Sequence, residues 1–281
     1  MKRLKAYLKI TRPVNGILMF IGILAGVALS YSKVIDFTNI VYSFITAYSL
    51  SGSSMVLNDY FDREVDKINA PQRPIPSGLI TPSHAIVYSS TLGLVGIISS
   101  VLISFQCMII ALISYIASAL YNISLKKIGL LGNFTVSLVV TAPFVFGSTM
   151  SDGYISERII VFIIPVLLSN TGREVIKGIS DVEGDAVREV RSIARVMGVG
   201  RAALIGSILY ILAVLFSPVP YFLNYVSTLY LPIVIIADIG FLYSAYIILK
   251  SPSKENSIKV KNQTLIWMFI ALIAYILGGA L

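Results

Sequence analysis

Runs of about twenty apolar residues follow one another from end to end of this chain, each long enough to cross a hydrocarbon core of roughly 30 Å as a helix. Nine such spans are predicted, at about 14–31, 37–58, 83–104, 107–122, 131–150, 158–176, 200–217, 225–249 and 262–281. Charged residues make up 13% of the chain, where an ordinary soluble domain carries about a quarter. The sequence therefore reads as an all-α, polytopic membrane protein, with residues 1–281 forming a single integral-membrane domain. The basic N-terminus MKRLKAYLKITRP precedes an apolar run that continues to about Tyr31 with no clear small-residue cleavage site, so it reads as a retained first span and not a signal peptide.

With these spans, twenty of the twenty-two Lys and Arg residues fall on one side, in the N-terminus and the segments around 59–82, 123–130, 173–201 and 250–261. Only Lys33 and Arg158 lie opposite. Basic connections stay in the cytoplasm, which places the N-terminus and the long connections there, on the inner face of the cell membrane. A wrong span count would scramble this partition. The net charge of +8 then reflects orientation and contact with anionic membrane lipid; nothing else argues for nucleic acid. One cysteine, Cys107, allows no internal disulfide, and one histidine, His84, builds no histidine-rich metal site. Cys107 sits among apolar residues and reads as packing. His84 follows Thr81, Pro82 and Ser83, a helix start, and falls in the first turn of a span.

The carboxylates cluster more tightly than the bases. Nine of the fourteen fall in two windows on the basic side: Asp59, Asp62, Glu64 and Asp66 in one, Glu174, Asp181, Glu183, Asp185 and Glu189 in the other. A run of charges on its own is usually a solvated face, but two acid clusters on one side are not what scattered loops give. Asn58, Asp59, Asp62 and Asp66 recur at steps of three and four and share a helix face, with Arg63, Lys67 and Arg73 close by. In the second window Arg173, Lys177, Asp181, Asp185 and Glu189 follow at steps of four on a helix continuing from the sixth span, which Gly178 and Gly184 would interrupt. Carboxylates gathered this way imply a hard divalent cation, and interleaved bases imply that the cation's other ligand is anionic. A Mg²⁺ diphosphate meets both requirements. In a membrane the rest of that ligand is an apolar tail, which a polyprenyl diphosphate supplies. Gly22 and Gly26 form a GxxxG that permits close helix packing. Asp238 is the one acid inside a span, a position that suits function or a hydrogen-bonded structural role.

The motif NDxxDxxxD from Asn58 to Asp66, RPIPSG from Arg73 to Gly78, and DxxxD from Asp181 to Asp185 resemble the two signature segments of the UbiA superfamily of intramembrane prenyltransferases. Span number and chain length match as well. Within it, DREVDKINAPQRPIPSG is similar to the branch holding chlorophyll synthase and the archaeal ether-lipid synthases, and GREVIKGISDVEGD is closer to the archaeal enzymes. The resemblance implies nine helices around a central cavity, a side opening to lipid, and Mg²⁺ dependence. It assigns Asn58, Asp59, Asp62 and Asp66, with Asp181 and Asp185, to Mg²⁺ diphosphate binding, and Arg63, Lys67 and Arg73 to phosphate oxygens. YNISLKKIGLLGN resembles a family segment in which a tyrosine and a lysine face the diphosphate, here Tyr121 and Lys126. Asn15, in RPVN, resembles a polar position lining the cavity, although an interfacial turn suits it nearly as well. Where related enzymes carry a run like RTLP, Arg191, Ser192, Ile193 and Ala194 stand here.

The archaeal branch implies a reaction between geranylgeranyl diphosphate and the glycerol hydroxyl of geranylgeranylglyceryl phosphate. A phosphorylated acceptor needs a second anion site, for which Arg173 and Lys177 are candidates. No general base is evident. Two alternatives remain open at this stage: the same chemistry on an aromatic or chlorophyllide acceptor, and a cation-coupled transporter. A transporter of that kind binds near the bilayer midplane, whereas both acid clusters lie at the cytoplasmic ends.

Overall fold

The computed structural model describes every residue except Met1, Val34, Arg188 and Leu281. Of the bases counted on the acidic side, Arg188 therefore lies outside the described residues. Those residues fold as helices α1 (Lys2–Ile10), α2 (Pro13–Ala28), α3 (Phe37–Phe61), α4 (Arg63–Asn69), α5 (Pro82–Val101), α6 (Phe105–Ile123), α7 (Gly129–Asp152), α8 (Glu157–Ser180), α9 (Val182–Val187), α10 (Ile193–Met197), α11 (Val199–Phe216), α12 (Val219–Phe222), α13 (Tyr230–Lys250) and α14 (Lys254–Ala280). A 3₁₀ turn at Leu125–Lys127 joins α6 to α7. Among the described residues, nine helical stretches are long and apolar enough to cross a membrane, in the predicted order.

Boundaries differ where local chemistry outweighs hydropathy. The first stretch starts at Arg3, well before residue 14, and is divided at Thr11–Arg12. Pro13, at the first position of α2, bars Arg12 from continuing a right-handed helix, and Arg12 adopts φ 48°. The eighth begins at Tyr230, after a turn in which the Tyr225 N–H donates to the Pro220 carbonyl. The ninth begins at Lys254, where the Ser253 hydroxyl accepts from the Asn256 N–H, and its first two turns carry charges that hydropathy discounts. Thr81 caps α5 by accepting from the His84 N–H, 3.3 Å, and Ser104 caps α6 at Cys107, which is buried.

Helices α2 and α7 cross at the centre. A Cβ added at Gly22 would lie 3.1 Å from Pro143 Cβ, and one at Gly26 would overlap the Phe144 carbonyl, so the GxxxG is a packing seam as expected. The seam separates two apolar cavities. The first, about 230 Å³, lies among α2, α3, α6 and α7; the second, about 290 Å³, lies among α2, α7, α8, α11, α13 and α14. Met19, Val140 and Pro143 face both. At the end away from the acid clusters, Asp152 accepts from the backbone N–H groups of Tyr31 and Ser32, and the Tyr31 hydroxyl donates to Glu157 at 2.8 Å.

Candidate active site

The first acid segment is one nearly continuous helix. Asn58 and Asp59 end α3, Asp62 is the joint, and Asp66 lies in α4; the Asp62 N–H donates to the Asn58 carbonyl and the Asp66 N–H to the Asp62 carbonyl, both at 2.9 Å. The helical register therefore survives the joint, and the three carboxylates stay on one face. Asp59 is only 3% exposed and Asp66 2%. Carboxylates so removed from water require cations, and the fold supplies three. Arg12 Nη2 reaches Asp59 at 2.7 Å, Lys126 Nζ reaches Asp62 at 2.6 Å, and Arg73 pairs with Asp66 while standing 3.5 Å from Asp59.

Each base is delivered by a local device. Arg73 opens a compact proline-rich turn whose Ile75 and Ile80 are buried against Ala6, Ile10, Val56 and Ala85, which fixes the turn over α4. Arg12 stands in the break between α1 and α2, with its Nη1 and the Asn15 amide both directed at the Met55 sulfur, 3.4 and 3.3 Å. Lys126 sits in the 3₁₀ turn. Arg63 and Lys67, expected close by the acid face to hold phosphate oxygens, are tied elsewhere: the Arg63 guanidinium lies 4.4 Å over the Tyr60 ring and donates to the Tyr60 carbonyl, and Lys67 donates to Glu64 at 2.7 Å. That bond holds the Glu64 carboxyl below its ordinary value.

In the second segment α8 runs through Gly178 and stops at Ser180, whose hydroxyl donates to the Asp181 carboxylate at 2.9 Å. The Asp185 N–H donates to the Asp181 carbonyl, so the segment turns one helical loop through α9 before Glu189, at φ 56°, ends it. Arg173 and Lys177 share Glu174, at 2.8 and 3.0 Å, leaving the trio one positive charge in excess. Lys254 and Glu183 pair at the exposed edge.

Two links join the segments, one electrostatic and one a backbone hydrogen bond. Tyr121, on the last turn of α6, lies within electrostatic range of Lys177, Glu174 and Asp185 on one side and of Asp62 on the other. The Arg191 N–H donates to the Lys127 carbonyl at 3.0 Å, and the Arg191 carbonyl faces Gly129, whose φ is +34° and where an added Cβ would lie 2.5 Å from that oxygen. Asn58 donates to Asn122 at 3.0 Å, and Asn58, Tyr121 and Asn122 together form the polar rim of the first cavity. Sequence reasoning did not single out Arg12 or Asn122 as site residues. A base before proline and an asparagine among apolar neighbours carry no local signal; both act through partners forty or more positions away.

Among the described residues no three His, Cys, Asp or Glu side chains form a metal cage by themselves. The donor set still fits a hard cation that takes part of its coordination from a phosphate ligand, because it is all oxygen. The three acids and three bases already balance, so a diphosphate entering here brings negative charge that only a further cation offsets.

Fold and composition together define a polytopic membrane protein in which paired acids and bases gather beyond one end of an apolar cavity. The chain belongs to the UbiA prenyltransferase family, whose model matches residues 19–273, and it is accordingly a multi-pass membrane prenyltransferase. It is 34% identical over 273 residues to digeranylgeranylglyceryl phosphate synthase of Methanosphaera stadtmanae, covering 97% of this chain and 98% of that one. It is 35% identical to the synthase of the same name from Archaeoglobus fulgidus, with 99% and 98% covered. A solved structure concerning digeranylgeranylglyceryl phosphate synthase superposes with a TM-score of 0.85 at 34% identity, covering 100% of this chain and 99% of that one. A UbiA homologue from Archaeoglobus fulgidus, solved bound to GPP and Mg²⁺, shares the fold at 13% identity with a TM-score of 0.71, covering 96% and 99%.

Proposed function

We propose that the protein transfers a geranylgeranyl group from geranylgeranyl diphosphate to the free glycerol hydroxyl of geranylgeranylglyceryl phosphate, releasing diphosphate and forming digeranylgeranylglyceryl phosphate. The observation that carries this reading is the placement of the paired acids and bases just beyond the polar rim of the first cavity, Asp62 standing one helical turn past Asn58. The diphosphate lies over Asp59, Asp62 and Asp66, with Asp181 and Asp185 facing it from the second segment, and the isoprenoid chain descends past Asn58 and Tyr121. When bound, Mg²⁺ neutralises the charge that grows on the leaving oxygens; these five aspartates would hold it. Arg12, Arg73 and Lys126, which stand on those carboxylates, would contact the phosphate oxygens, whereas Arg63 and Lys67 are tied to Tyr60 and Glu64.

The bond between the allylic carbon and the diphosphate oxygen breaks, and the glycerol oxygen bonds to that carbon. The hydroxyl proton leaves to an aspartate of the acid face or to the departing diphosphate. The apolar walls of the first cavity keep water from the allylic cation. Arg173 and Lys177, with their excess positive charge, hold the acceptor phosphate. The whole chain acts as one integral-membrane domain with its N-terminus and acid segments in the cytoplasm; a cysteine introduced at Lys5 that reacted with an impermeant maleimide in intact cells would refute that orientation.

The test is transfer from radiolabelled geranylgeranyl diphosphate in detergent or lipid, comparing geranylgeranylglyceryl phosphate with an aromatic acceptor and using Asp62→Asn as control. A Mg²⁺-dependent diether phosphate, absent in the variant, is expected. Transfer to the aromatic acceptor alone would reassign the substrate, and transfer to neither by folded protein would remove the reaction.

A further inference from the structure

The second cavity has no part in the reaction as described. It runs along α14 from Leu265 to Tyr275, about 15 Å of helix. On α8, Val166, Ser169 and Asn170 line it, and the same stripe, at steps of three and four, continues upward through Arg173 and Lys177 to Asp181. On α3, Ser51, Ser54, Met55 and Asn58 line the first cavity and their stripe continues to Asp62. Each acid-bearing helix thus leads down into a cavity of its own, and the α2–α7 seam stands between the two.

The deep end of the second cavity is polar and fixed. The Ser217 hydroxyl donates to Asp238 Oδ2 at 2.6 Å, and the Tyr230 hydroxyl donates to the Ser217 carbonyl at 2.6 Å. Tyr230 stacks on Tyr275 with ring centroids 6.1 Å apart, and Tyr275 in turn donates to the Phe162 carbonyl at 3.2 Å. A carboxyl group is costly to press against hydrocarbon, so a chain filling the cavity stops short of Asp238.

We propose that the second cavity binds the isoprenoid chain of the acceptor, and that Asp238, positioned by Ser217, is the floor that sets the chain length accepted. This rests on the acceptor being a phosphorylated glyceryl isoprenoid, as proposed above. The phosphate lies at Arg173 and Lys177, the glycerol lies between the two acid segments, and the chain follows the α8 stripe downward.

The experiment compares acceptors carrying three, four or five isoprene units, each against a fixed donor, in the wild type and in Asp238→Leu. The variant is expected to raise kcat/KM for the five-unit acceptor relative to the four-unit one by about tenfold, with the preference among donor lengths unchanged. A second arm uses unaltered protein and an acceptor analogue with a diazirine at the far end of its chain, which is expected to label peptides of α13 and α14. A shift in donor-length preference with none for the acceptor overturns the assignment, as does equal or stronger labelling of α3 or α6. If Asp238→Leu does not fold, the labelling decides alone. Failure of wild-type protein to form any diether phosphate would instead refute the proposed reaction, so the two failures are distinguishable.

Discussion

Replacing Gly129 with alanine tests whether the second acid loop is held by backbone contact against the turn that carries Lys126. Gly129 has φ +34°, and a Cβ built there lies 2.5 Å from the Arg191 carbonyl oxygen, where real contacts keep 3.0 Å or more, so the loop must retreat by at least 0.5 Å. The retreat breaks the 3.0 Å hydrogen bond from the Arg191 N–H to the Lys127 carbonyl. Backbone strain of about 1 kcal/mol and a lost hydrogen bond of about 1 kcal/mol give roughly 2–3 kcal/mol with the contact itself, or a fall of about 4–12 °C in Tm. Lys126, one residue from the broken bond, holds Asp62, so kcat/KM should fall about 10- to 100-fold, as displacements of up to 1 Å at reacting groups do. Gly153→Ala is the matched control. Its φ is +81° with open space around the added Cβ, so it carries the strain alone and lies at the far end of the molecule. Thermal unfolding in detergent and steady-state transfer would be measured on both variants. Equal loss of stability in the two, or unchanged kcat/KM in Gly129→Ala, would show that the loop contact does not position the site.

Three further outcomes are expected. Lys126→Met should lower kcat by about 100-fold or more, the scale for losing one charge that stabilises a leaving anion, while the protein remains monodisperse by size exclusion. Arg73→Gln should lower kcat/KM by a similar factor, whereas Arg63→Gln and Lys67→Gln, whose side chains are tied to Tyr60 and Glu64, should change it by less than about fivefold, surface charges contributing little; equal effects in all three would contradict this placement of the bases. Removing divalent metal with a chelator should abolish transfer yet move Tm by less than about 3 °C, because Arg12, Arg73 and Lys126 already neutralise the aspartates. A collapse of the fold on chelation would mean that the ion is structural.

The periodicity of the apolar runs and the one-sided distribution of bases were enough to give the nine spans, because lipid allows few alternatives to a helix long enough to cross it. The spacing of Asn58, Asp59, Asp62 and Asp66 was enough to put them on one helix face, since side-chain direction repeats with the helix, whereas the helix expected to carry Arg173 to Glu189 stops at Ser180 and resumes as α9. The spans and that face are local properties, written within a few consecutive turns. The helix ends were less legible: Arg12 is turned by Pro13, and α14 begins two turns early because Ser253 caps it, effects of single residues that a hydropathy average spreads out.

What the tertiary structure alone decided is which charges meet. Arg12 and Arg73 reach Asp59 and Lys126 reaches Asp62 because α2, the proline-rich turn and the 3₁₀ turn converge on one end of the bundle, whereas Arg63 and Lys67, nearer in sequence, are held by the helix that carries them. The separation of the first cavity from the second is also a property of packing, set by how closely α2 approaches α7 at Gly22 and Gly26. A sequence states which face of each helix is apolar or charged; which faces oppose one another depends on contacts between residues tens of positions apart, and those are fixed only when the bundle closes.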